Sequence, residues 1–428
     1  MGRLLLTLSV TSLLFVSLER ITVAGDGEVA NEQITVAPTD WPWWRGPNRN
    51  GIAAGNQQPP LKWSATDNVA WGIEIPGRGH GSPTVVGNQV FLATADQDRE
   101  TQSVLCFDRD DGRQLWRRDV HRGGLTAPRL NAKASQASST IACDGERIFI
   151  NFWNDGAVYT TALTRDGEQL WQEKITDYVI HQGFASSPAL YGSLVIVSAD
   201  NKGGGAVTAF DRATGEFVWR HSRPKLPNYA SPIILPVAGR EQLLFTGCNR
   251  VTSLEPLSGK TNWEIEGATT ECVTSTVTDG ELIFTSGGYP KNHVAAVRAD
   301  GSGEIVWEHN TRVYVPSLLV GNGYLYGILD AGVAACWNST TGEQLWKGRL
   351  GGTFSASPIL VGEHIFATNE SGLTFVFKAS PQKLQLVAEN SLGDHVMATP
   401  AFSDSRIYMR VAHLKNDRRQ EMLYCLAR

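Results

Sequence analysis

Short stretches of alternating apolar and polar residues recur along most of the chain, separated by glycine-containing turns. In the clearest unit the four predicted strands are Pro188–Tyr191, Ser193–Ala199, Ala206–Phe210 and Glu216–Arg220. In the turn Asp211–Gly215, the Asp side chain can cap the turn while Gly takes the positive φ. Short alternating strands with such turns predict an antiparallel all-β fold.

Two landmarks repeat in phase along the chain. A tryptophan ends the last strand of successive units, at Trp71, Trp116, Trp171, Trp219, Trp263, Trp307 and Trp346. A Ser-Pro-like pair opens the first strand, as Ser82-Pro83, Ser139-Thr140, Ser187-Pro188, Ser231-Pro232, Ser275-Thr276, Pro316-Ser317, Ser357-Pro358 and Thr399-Pro400. Repeats of about 40–50 residues with four strands each are typical of the blades of a β-propeller.

The number of strands predicts how the ring closes. Eight segments fit a first strand, and an eighth last strand, Lys383–Glu389, lacks the tryptophan. The final unit, Thr399–Arg428, holds only three strands, whereas Asn68–Ile75 has no partners before it. We therefore expect an eight-bladed propeller over residues 63–428, with Asn68–Ile75 completing the last blade. Seven blades are the alternative.

The first 62 residues do not follow the repeat. Arg3 precedes the apolar stretch Leu4–Leu18, and small residues follow at 22–25, which predicts a signal peptide over residues 1–24. The stretch is shorter than the roughly 20 residues of a membrane-spanning helix. We expect a periplasmic or secreted protein without a transmembrane span after cleavage. Residues 25–62 form an N-terminal extended segment, in which Trp41–Pro47 is expected to cross one face of the ring.

Composition narrows the function classes. A net charge of −5 and a pI near 6.0 argue against a nucleic-acid binder, which usually carries a basic patch. Six cysteines in 428 residues do not form a disulfide scaffold. Cys106, Cys336 and Cys425 occupy matching places in separate repeats, so buried thiols are expected. We expect a monomer.

The segment Ala209–Trp219 resembles the tryptophan-docking motif of pyrroloquinoline-quinone (PQQ) dehydrogenases. Weaker copies end at the other tryptophans, and the resemblance extends over residues 63–428. It identifies the chain as a member of the PQQ-like, BamB-like family of β-propellers. The segment from Trp43 to Asn48 is similar to secreted planctomycete-type members. The resemblance implies that the seven tryptophans stack on turns of neighbouring blades.

The resemblance leaves two classes of function open. In the quinoprotein dehydrogenases, PQQ is held with Ca²⁺ by Glu, Asn and Asp, and alcohol dehydrogenases add a ring of two adjacent cysteines. This chain has no adjacent cysteines and no CxxCH haem-attachment sequence. We therefore expect no cofactor, with a PQQ-dependent sugar or alcohol dehydrogenase as the alternative. A polysaccharide-acting enzyme that recruits Glu271, Tyr229 and Tyr314 is a further alternative.

The loops that precede the first strands gather at one mouth of the central channel in a propeller. In order they carry His80, Gln136, Phe184, Tyr229, Glu271, Tyr314, Phe354 and His395, with His181 nearby. Aromatic and His side chains can stack on rings or sugars and supply hydrogen bonds. We expect a non-catalytic binding module whose ligand, an envelope protein, a glycan or a small molecule, binds at this mouth.

Two sets of residues are candidate metal ligands. The first is His80, His181 and His395, and the second is the acidic loop with Asp96, Asp98 and Glu100. The loop lacks the Gly and distal Glu of an EF-hand, and sequence position alone does not bring the histidines together. No metal site is expected.

Overall fold

The computed structural model describes residues 33–126, 130–416 and 418–428, so the predicted signal peptide over residues 1–24 lies outside the described residues. These form eight four-stranded antiparallel sheets arranged as the blades of a ring. The predicted all-β, eight-bladed propeller is confirmed, and the seven-bladed alternative is wrong. Within the described ranges, no helix is long and apolar enough to cross a membrane.

The strands follow one another outward from the channel in each blade. Blade 1 contains β2–β5 (Thr84–Val86, Gln89–Asp96, Thr101–Asp108, Gln114–Arg122), and blade 2 contains β6–β9 (Ala142–Cys143, Arg147–Asn154, Ala157–Thr164, Gln169–Asp177). Blade 3 contains β10–β13 (Ala189–Tyr191, Leu194–Ser198, Gly205–Asp211, Phe217–Arg223), and blade 4 contains β14–β17 (Ile233–Val237, Arg240–Gly247, Arg250–Leu254, Thr261–Glu266). Blades 5 to 7 contain β18–β21 (Val277–Thr278, Leu282–Gly287, His293–Arg298, Ile305–His309), β22–β25 (Leu319–Gly321, Tyr324–Leu329, Val333–Asn338, Gln344–Arg349) and β26–β29 (Ile359–Val361, His364–Thr368, Leu373–Lys378, Leu386–Ser391).

The eighth blade joins the two ends of the chain. Its inner strands are β30 (Ala401–Ser403), β31 (Arg406–Lys415) and β32 (Arg418–Leu426), and its outer strand is β1 (Val69–Ile75). β1 is antiparallel to β32, with Trp71 opposite Cys425. The predicted closure by Asn68–Ile75 is therefore confirmed, and it leaves no open blade at the junction.

The tryptophans of the outer strands reach the turns of neighbouring blades. Trp71 Nε1 donates to Arg109 O at 3.1 Å, and Trp219 Nε1 donates to Pro256 O at 3.1 Å. The other indoles with a carbonyl acceptor in the next blade are Trp116, Trp171, Trp307 and Trp346. Trp263 differs, because it donates to Gln242 Oε1 in its own blade at 2.9 Å.

Glycine in the turn gives the indole room. A Cβ at Gly215, where φ is +80°, would lie 2.8 Å from the ring of Trp171. The residue opposite the tryptophan in the sheet is small for the same reason. Three of these small residues are the cysteines at matching repeat positions, with Cys106 opposite Trp116, Cys336 opposite Trp346 and Cys425 opposite Trp71. Burial raises the pKa of the Cys106 and Cys336 thiols to about 12, which leaves them protonated and unreactive.

The N-terminal segment crosses one face of the ring. At blade 1, Trp41 and Val85 exchange two backbone hydrogen bonds of 2.8 and 3.0 Å. At blade 7, Leu360 N donates to Gly51 O and Leu360 O accepts from Ala53 N, both at 2.9 Å. Both partner residues, Val85 and Leu360, follow the Ser-Pro-like pair of their blade. The segment therefore covers the face opposite the loops that precede the first strands.

Candidate ligand site at the mouth of the channel

A belt of hydroxyl groups surrounds the central channel, one from the residues just before each first strand. Its members are Ser82, Thr140, Ser187, Ser231, Ser275, Ser317, Ser357 and Thr399. In six steps around the described ring, the backbone N–H of one belt residue donates to the hydroxyl of the next blade at 2.9–3.0 Å. The Ser-Pro-like landmark of the sequence thus joins neighbouring blades.

Trp44 closes one end of the channel. Its indole Nε1 donates to Ser275 Oγ at 2.8 Å, which makes it part of the belt. Trp44 and residues of all eight blades line a cavity of about 90 Å³. Because the N-terminal segment covers the face beneath Trp44, the channel opens at the loops that precede the belt. This opening is called the mouth.

On one side of the mouth, a buried carboxylate is linked to two bases. The Glu271 side chain is 6% exposed, and its Oε1 lies 3.3 Å from His181 Nε2. Lys202 Nζ donates to His181 Nδ1 at 2.9 Å. With Nδ1 accepting, the proton of the imidazole is on Nε2 and points to Glu271. The ring of His181 therefore bridges the positively charged Lys202 and the Glu271 carboxylate.

Three tyrosines surround this carboxylate. The tyrosine cluster consists of Tyr178, His181, Tyr229, Glu271 and Tyr314. Burial, with a further effect of the Glu271 charge, raises the pKa of the Tyr229 and Tyr314 hydroxyls, so both stay neutral. Among the described residues no group makes a well-aligned hydrogen bond with the buried Tyr229 hydroxyl.

An exposed aromatic residue stands next to the tyrosine cluster. Tyr289, in the loop between β19 and β20, pairs its backbone with Glu271, and its side chain is 54% exposed. An exposed ring beside polar groups is suited to stacking on a sugar or another ring.

The opposite side of the mouth, between blades 8 and 1, is rich in positive charge. The basic cluster consists of Arg78, His80, His395, Arg410 and Arg419, together with Glu421. Arg410 Nε and Arg419 Nε each donate to the Glu421 carboxylate at 2.7 Å, and Glu421 is 2% exposed. One carboxylate thus balances two guanidinium groups, and Arg78 adds a third positive charge.

The histidines of the basic cluster are held neutral. Burial lowers the pKa of His80 well below its usual value, and Arg78, Arg410 and Arg419 lower it further. Burial also lowers the pKa of His395, as does the charge of Arg419. Within the described ranges, His80 Nε2 and His395 Nδ1 are buried without a hydrogen-bond partner, as is Arg78 Nε.

The structure divides the sequence-predicted residues into groups. His181, Tyr229, Glu271 and Tyr314 lie together, and His80 and His395 lie in the basic cluster. Phe184 packs against Tyr178 with ring centroids 5.6 Å apart, and Phe354, 1% exposed, packs against Phe375. Gln136 donates through Nε2 to Leu125 O. The two phenylalanines thus belong to hydrophobic core clusters of the blades.

Sequence reasoning missed the charged residues behind the mouth. Arg78 lies two positions before His80 in the same loop, so the loop itself was the available signal. Arg410, Arg419 and Glu421 lie on β31 and β32, where strand alternation gives no sign of a buried charge. Lys202 belongs to the glycine-rich turn of blade 3.

The candidate metal ligands do not converge. His181 lies in a different cluster from His80 and His395. Asp96 Oδ1 accepts hydrogen bonds from the backbone N–H groups of Asp98 and Arg99, both at 3.1 Å, and so caps its own turn. In residues 33–126, 130–416 and 418–428, no group of three His, Cys, Asp or Glu side chains has the arrangement of a metal site.

Comparison with known families decides the classification. The family model described as "Outer membrane protein assembly factor BamB" matches residues 56–177, 100–290 and 290–381. The chain belongs to this family of PQQ-like propellers. Its repeats are those that the tryptophan-docking motif indicated.

Two curated relatives are named polyvinylalcohol dehydrogenase. The Pseudomonas sp. protein is 26% identical over 200 residues, which cover 43% of this chain and 29% of the relative. The Sphingopyxis sp. (strain 113P3) protein is 24% identical over 221 residues, which cover 48% of this chain and 31% of the relative. The matched segments thus span under a third of the relatives' own length.

Solved structures with the same fold include BamB and two dehydrogenases. BamB from Moraxella catarrhalis matches with a TM-score of 0.59 at 15% identity, covering 82% of this chain and 98% of that one. A europium-containing methanol dehydrogenase matches with a TM-score of 0.64 at 11% identity, covering 92% of this chain and 98% of that one. The quinohemoprotein alcohol dehydrogenase from Comamonas testosteroni matches with a TM-score of 0.66 at 13% identity, covering 91% of this chain and 80% of that one. At these identities the likeness establishes the fold alone.

The channel was tested for its fit to PQQ. Its cavity of about 90 Å³ is far below the roughly 300 Å³ at which pockets begin to enclose a small-molecule ligand. The floor is the Trp44 indole, fixed by its bond to Ser275, so the cavity cannot deepen without breaking the belt. The six cysteines are free and buried, and none lies at the floor of the cavity. The cavity above Trp44 is thus smaller than a pocket that encloses a small-molecule ligand.

Proposed function

We propose that this protein is an exported, non-catalytic binding module whose ligand binds at the mouth of the channel. One observation carries the proposal: the channel is closed by Trp44 at one end, and beside the opening at the other end Arg78 Nε, His80 Nε2 and His395 Nδ1 are buried without a hydrogen-bond partner among the described residues. Buried polar atoms are nearly always hydrogen-bonded, so several orphans around one opening favour a ligand that supplies the missing partners.

The ligand class that fits best is a polyhydroxylated chain such as a glycan. Tyr289 offers an exposed ring for stacking, and the Tyr229 hydroxyl offers a hydrogen bond. The two curated relatives are named for polyvinyl alcohol, which is also a polyhydroxylated chain. If the test below shows no retention on any of these polymers, the ligand is instead a protein partner, such as an envelope protein.

Export is the second part of the proposal. It is supported by the pattern over residues 1–24 and by the family description, which names an assembly factor of the outer membrane. A periplasmic or fully secreted location follows. The check is the N-terminal sequence of the protein recovered from the envelope and from the medium, which should begin near residue 25.

Retention on immobilised neutral and acidic polysaccharides and on polyvinyl alcohol tests the binding site. Y289A removes an exposed ring at the mouth, and F217A removes a similarly exposed ring (49%) from an outer strand. We expect Y289A to weaken retention about tenfold, as the loss of one stacking contact would. F217A should bind like the wild type. Equal retention by both variants would contradict binding at the mouth.

A redox function is the second candidate, because the curated relatives are named dehydrogenases. It predicts dye reduction with polyvinyl alcohol, primary alcohols or aldoses when PQQ and Ca²⁺ are supplied. PQQ at about a hundred times its Kd would also stabilise the fold by about 2.7 kcal/mol. Activity together with that shift would replace the binding module with an enzyme. Neither effect is expected.

A further inference from the structure

We propose that the basic cluster is an oxyanion subsite, which takes a carboxylate or sulfate group carried by the ligand. This inference rests on the proposed function for placing a ligand at the mouth. It adds the chemical class of the group that the ligand presents between blades 8 and 1.

The first argument is the balance of charge. Arg410 and Arg419 share the single carboxylate of Glu421, which each contacts at 2.7 Å. Glu370, whose charge acts on His395, already accepts from Lys133 Nζ at 2.7 Å. Arg78 Nη2 donates to Ala132 O at 3.2 Å, but in the described part of the chain Arg78 has no carboxylate partner, although the net charge of the chain is −5. An excess of positive charge at one partly buried place calls for an anion.

The second argument is the set of atoms without partners. Arg78 Nε, His80 Nε2 and His395 Nδ1 are buried, and no described residue bonds to them. All three belong to groups that influence one another electrostatically, since Arg78 and His395 both lower the pKa of His80. A tetrahedral or planar oxyanion has several acceptor oxygens, which can accept from Arg78 Nε and from each imidazole in the tautomer that carries its proton on the unpartnered nitrogen.

The third argument is rigidity. Arg78 and Ala95 exchange backbone hydrogen bonds of 2.8 and 2.9 Å, and His395 and Ala412 exchange bonds of 3.1 and 2.8 Å. His80 N donates to Ala137 O at 2.9 Å. The backbone of each of these residues is therefore fixed to an adjacent strand or loop before any ligand binds. Donors that are already ordered lose little entropy on binding.

Glycine at position 79 keeps the cluster compact. A Cβ there would lie 2.3 Å from Arg410 Nη1 and 2.7 Å from Ala93 O. The buried guanidinium of Arg410 therefore lies directly against the backbone between Arg78 and His80. Only glycine allows the loop to approach the Arg410–Glu421 pair this closely.

The test is thermal unfolding of the whole protein in sulfate, phosphate, D-glucuronate and neutral D-glucose, with chloride keeping the ionic strength constant. R78Q removes the unbalanced charge. R99Q is the matched control, because Arg99 lies on the neighbouring loop with its side chain 70% exposed and carries the same charge. Sulfate also stabilises proteins non-specifically, and that effect should be equal in all three proteins.

We expect a saturable stabilisation by sulfate and glucuronate in the wild type and R99Q. In R78Q the apparent affinity should fall about tenfold, the loss of one charge-assisted hydrogen bond. Glucose should have no effect that depends on Arg78. A response to inorganic anions but not to glucuronate would assign the subsite to free phosphate or sulfate. If R78Q fails to fold, H395N is measured in its place.

The inference and the proposed function fail in different ways. If the anion response is the same in the wild type, R78Q and R99Q, the subsite is wrong. Loss of glycan retention in Y289A would still support the binding module in that case. If the anion response depends on Arg78 but no polysaccharide is retained, the subsite stands and the proposed glycan ligand is wrong.

Discussion

Both clusters at the mouth include residues of the loops that precede first strands, but they balance their charges differently. In the tyrosine cluster, Glu271 is matched by His181, which is in turn bonded to Lys202. In the basic cluster, two arginines share Glu421 and Arg78 remains unmatched. The repeat therefore determines where mouth residues lie, whereas the individual blades determine the chemistry. The unmatched side is the one expected to bind an anion.

The largest expected effect comes from the buried ion pairs behind the clusters. Glu421→Gln leaves the buried Arg410 and the partly exposed Arg419 without this carboxylate and should cost about 3–5 kcal/mol of unfolding free energy. Asp200→Asn breaks the buried Arg223–Asp200 pair near Tyr178 and should cost less, because only one arginine is left. Chemical denaturation measures both. The exposed Glu146→Gln, with its side chain 79% exposed, should cost about 0–1 kcal/mol.

The effect of sulfate on unfolding free energy is expected to differ between these two variants. Sulfate should restore part of the lost stability in the Glu421→Gln variant, where an anion can replace the missing carboxylate, and none in the Asp200→Asn variant. Equal losses in the two variants, with equal responses to sulfate, would mean that the clusters do not differ in charge balance.

The pH dependence of stability gives a smaller effect. The folded-state pKa of His80 lies well below its unfolded value near 6.5, so the unfolded chain binds the proton more readily. Stability should therefore fall as the pH drops below about 6.5. His80→Asn should make this slope shallower. His121 and His293, whose pKa values burial lowers to about 4, keep part of the slope in the variant.

An anion at the basic cluster should change the same slope. A bound sulfate favours protonated His80, raises its pKa and makes the wild-type slope shallower. The slope of His80→Asn should respond less to sulfate. A wild-type slope that is the same in sulfate and in chloride would contradict an anion near His80.

The smallest effect is expected in the tyrosine cluster. Tyr229→Phe removes a buried hydroxyl whose contact with the Gln182 backbone is poorly aligned, so the unfolding free energy should change by only about 0–1 kcal/mol. Glycan retention should nevertheless weaken if the hydroxyl bonds the ligand. A loss of several kcal/mol would show that the hydroxyl already has a partner in the folded protein.

The fold could be predicted from the sequence because its signals are local. The turn before Trp219 and the Ser-Pro-like pair at Ser187 repeat with a fixed order, and each determines a contact between neighbouring blades. The closure by Asn68–Ile75 followed from counting strands. These features need no knowledge of side chains that are distant in sequence.

The candidate site could be predicted only in part. Loop position was enough to find His80 and Glu271, but not to tell that Phe354 packs inside. The pairing of Arg410 with Glu421 depends on the register of two strands in the closing blade, and its nearness to Arg78 depends on the junction of the chain ends. Alternation along one strand contains neither piece of information.

Anomalous diffraction from crystals of the protein soaked in selenate, a sulfate analogue, tests the central claim most directly. The account predicts a selenium peak at the mouth within hydrogen-bond distance of Arg78, His80 or His395, and its absence in crystals of R78Q. A wild-type mouth without selenium, while other surface arginines bind it, would contradict the assignment of the basic cluster as the oxyanion subsite.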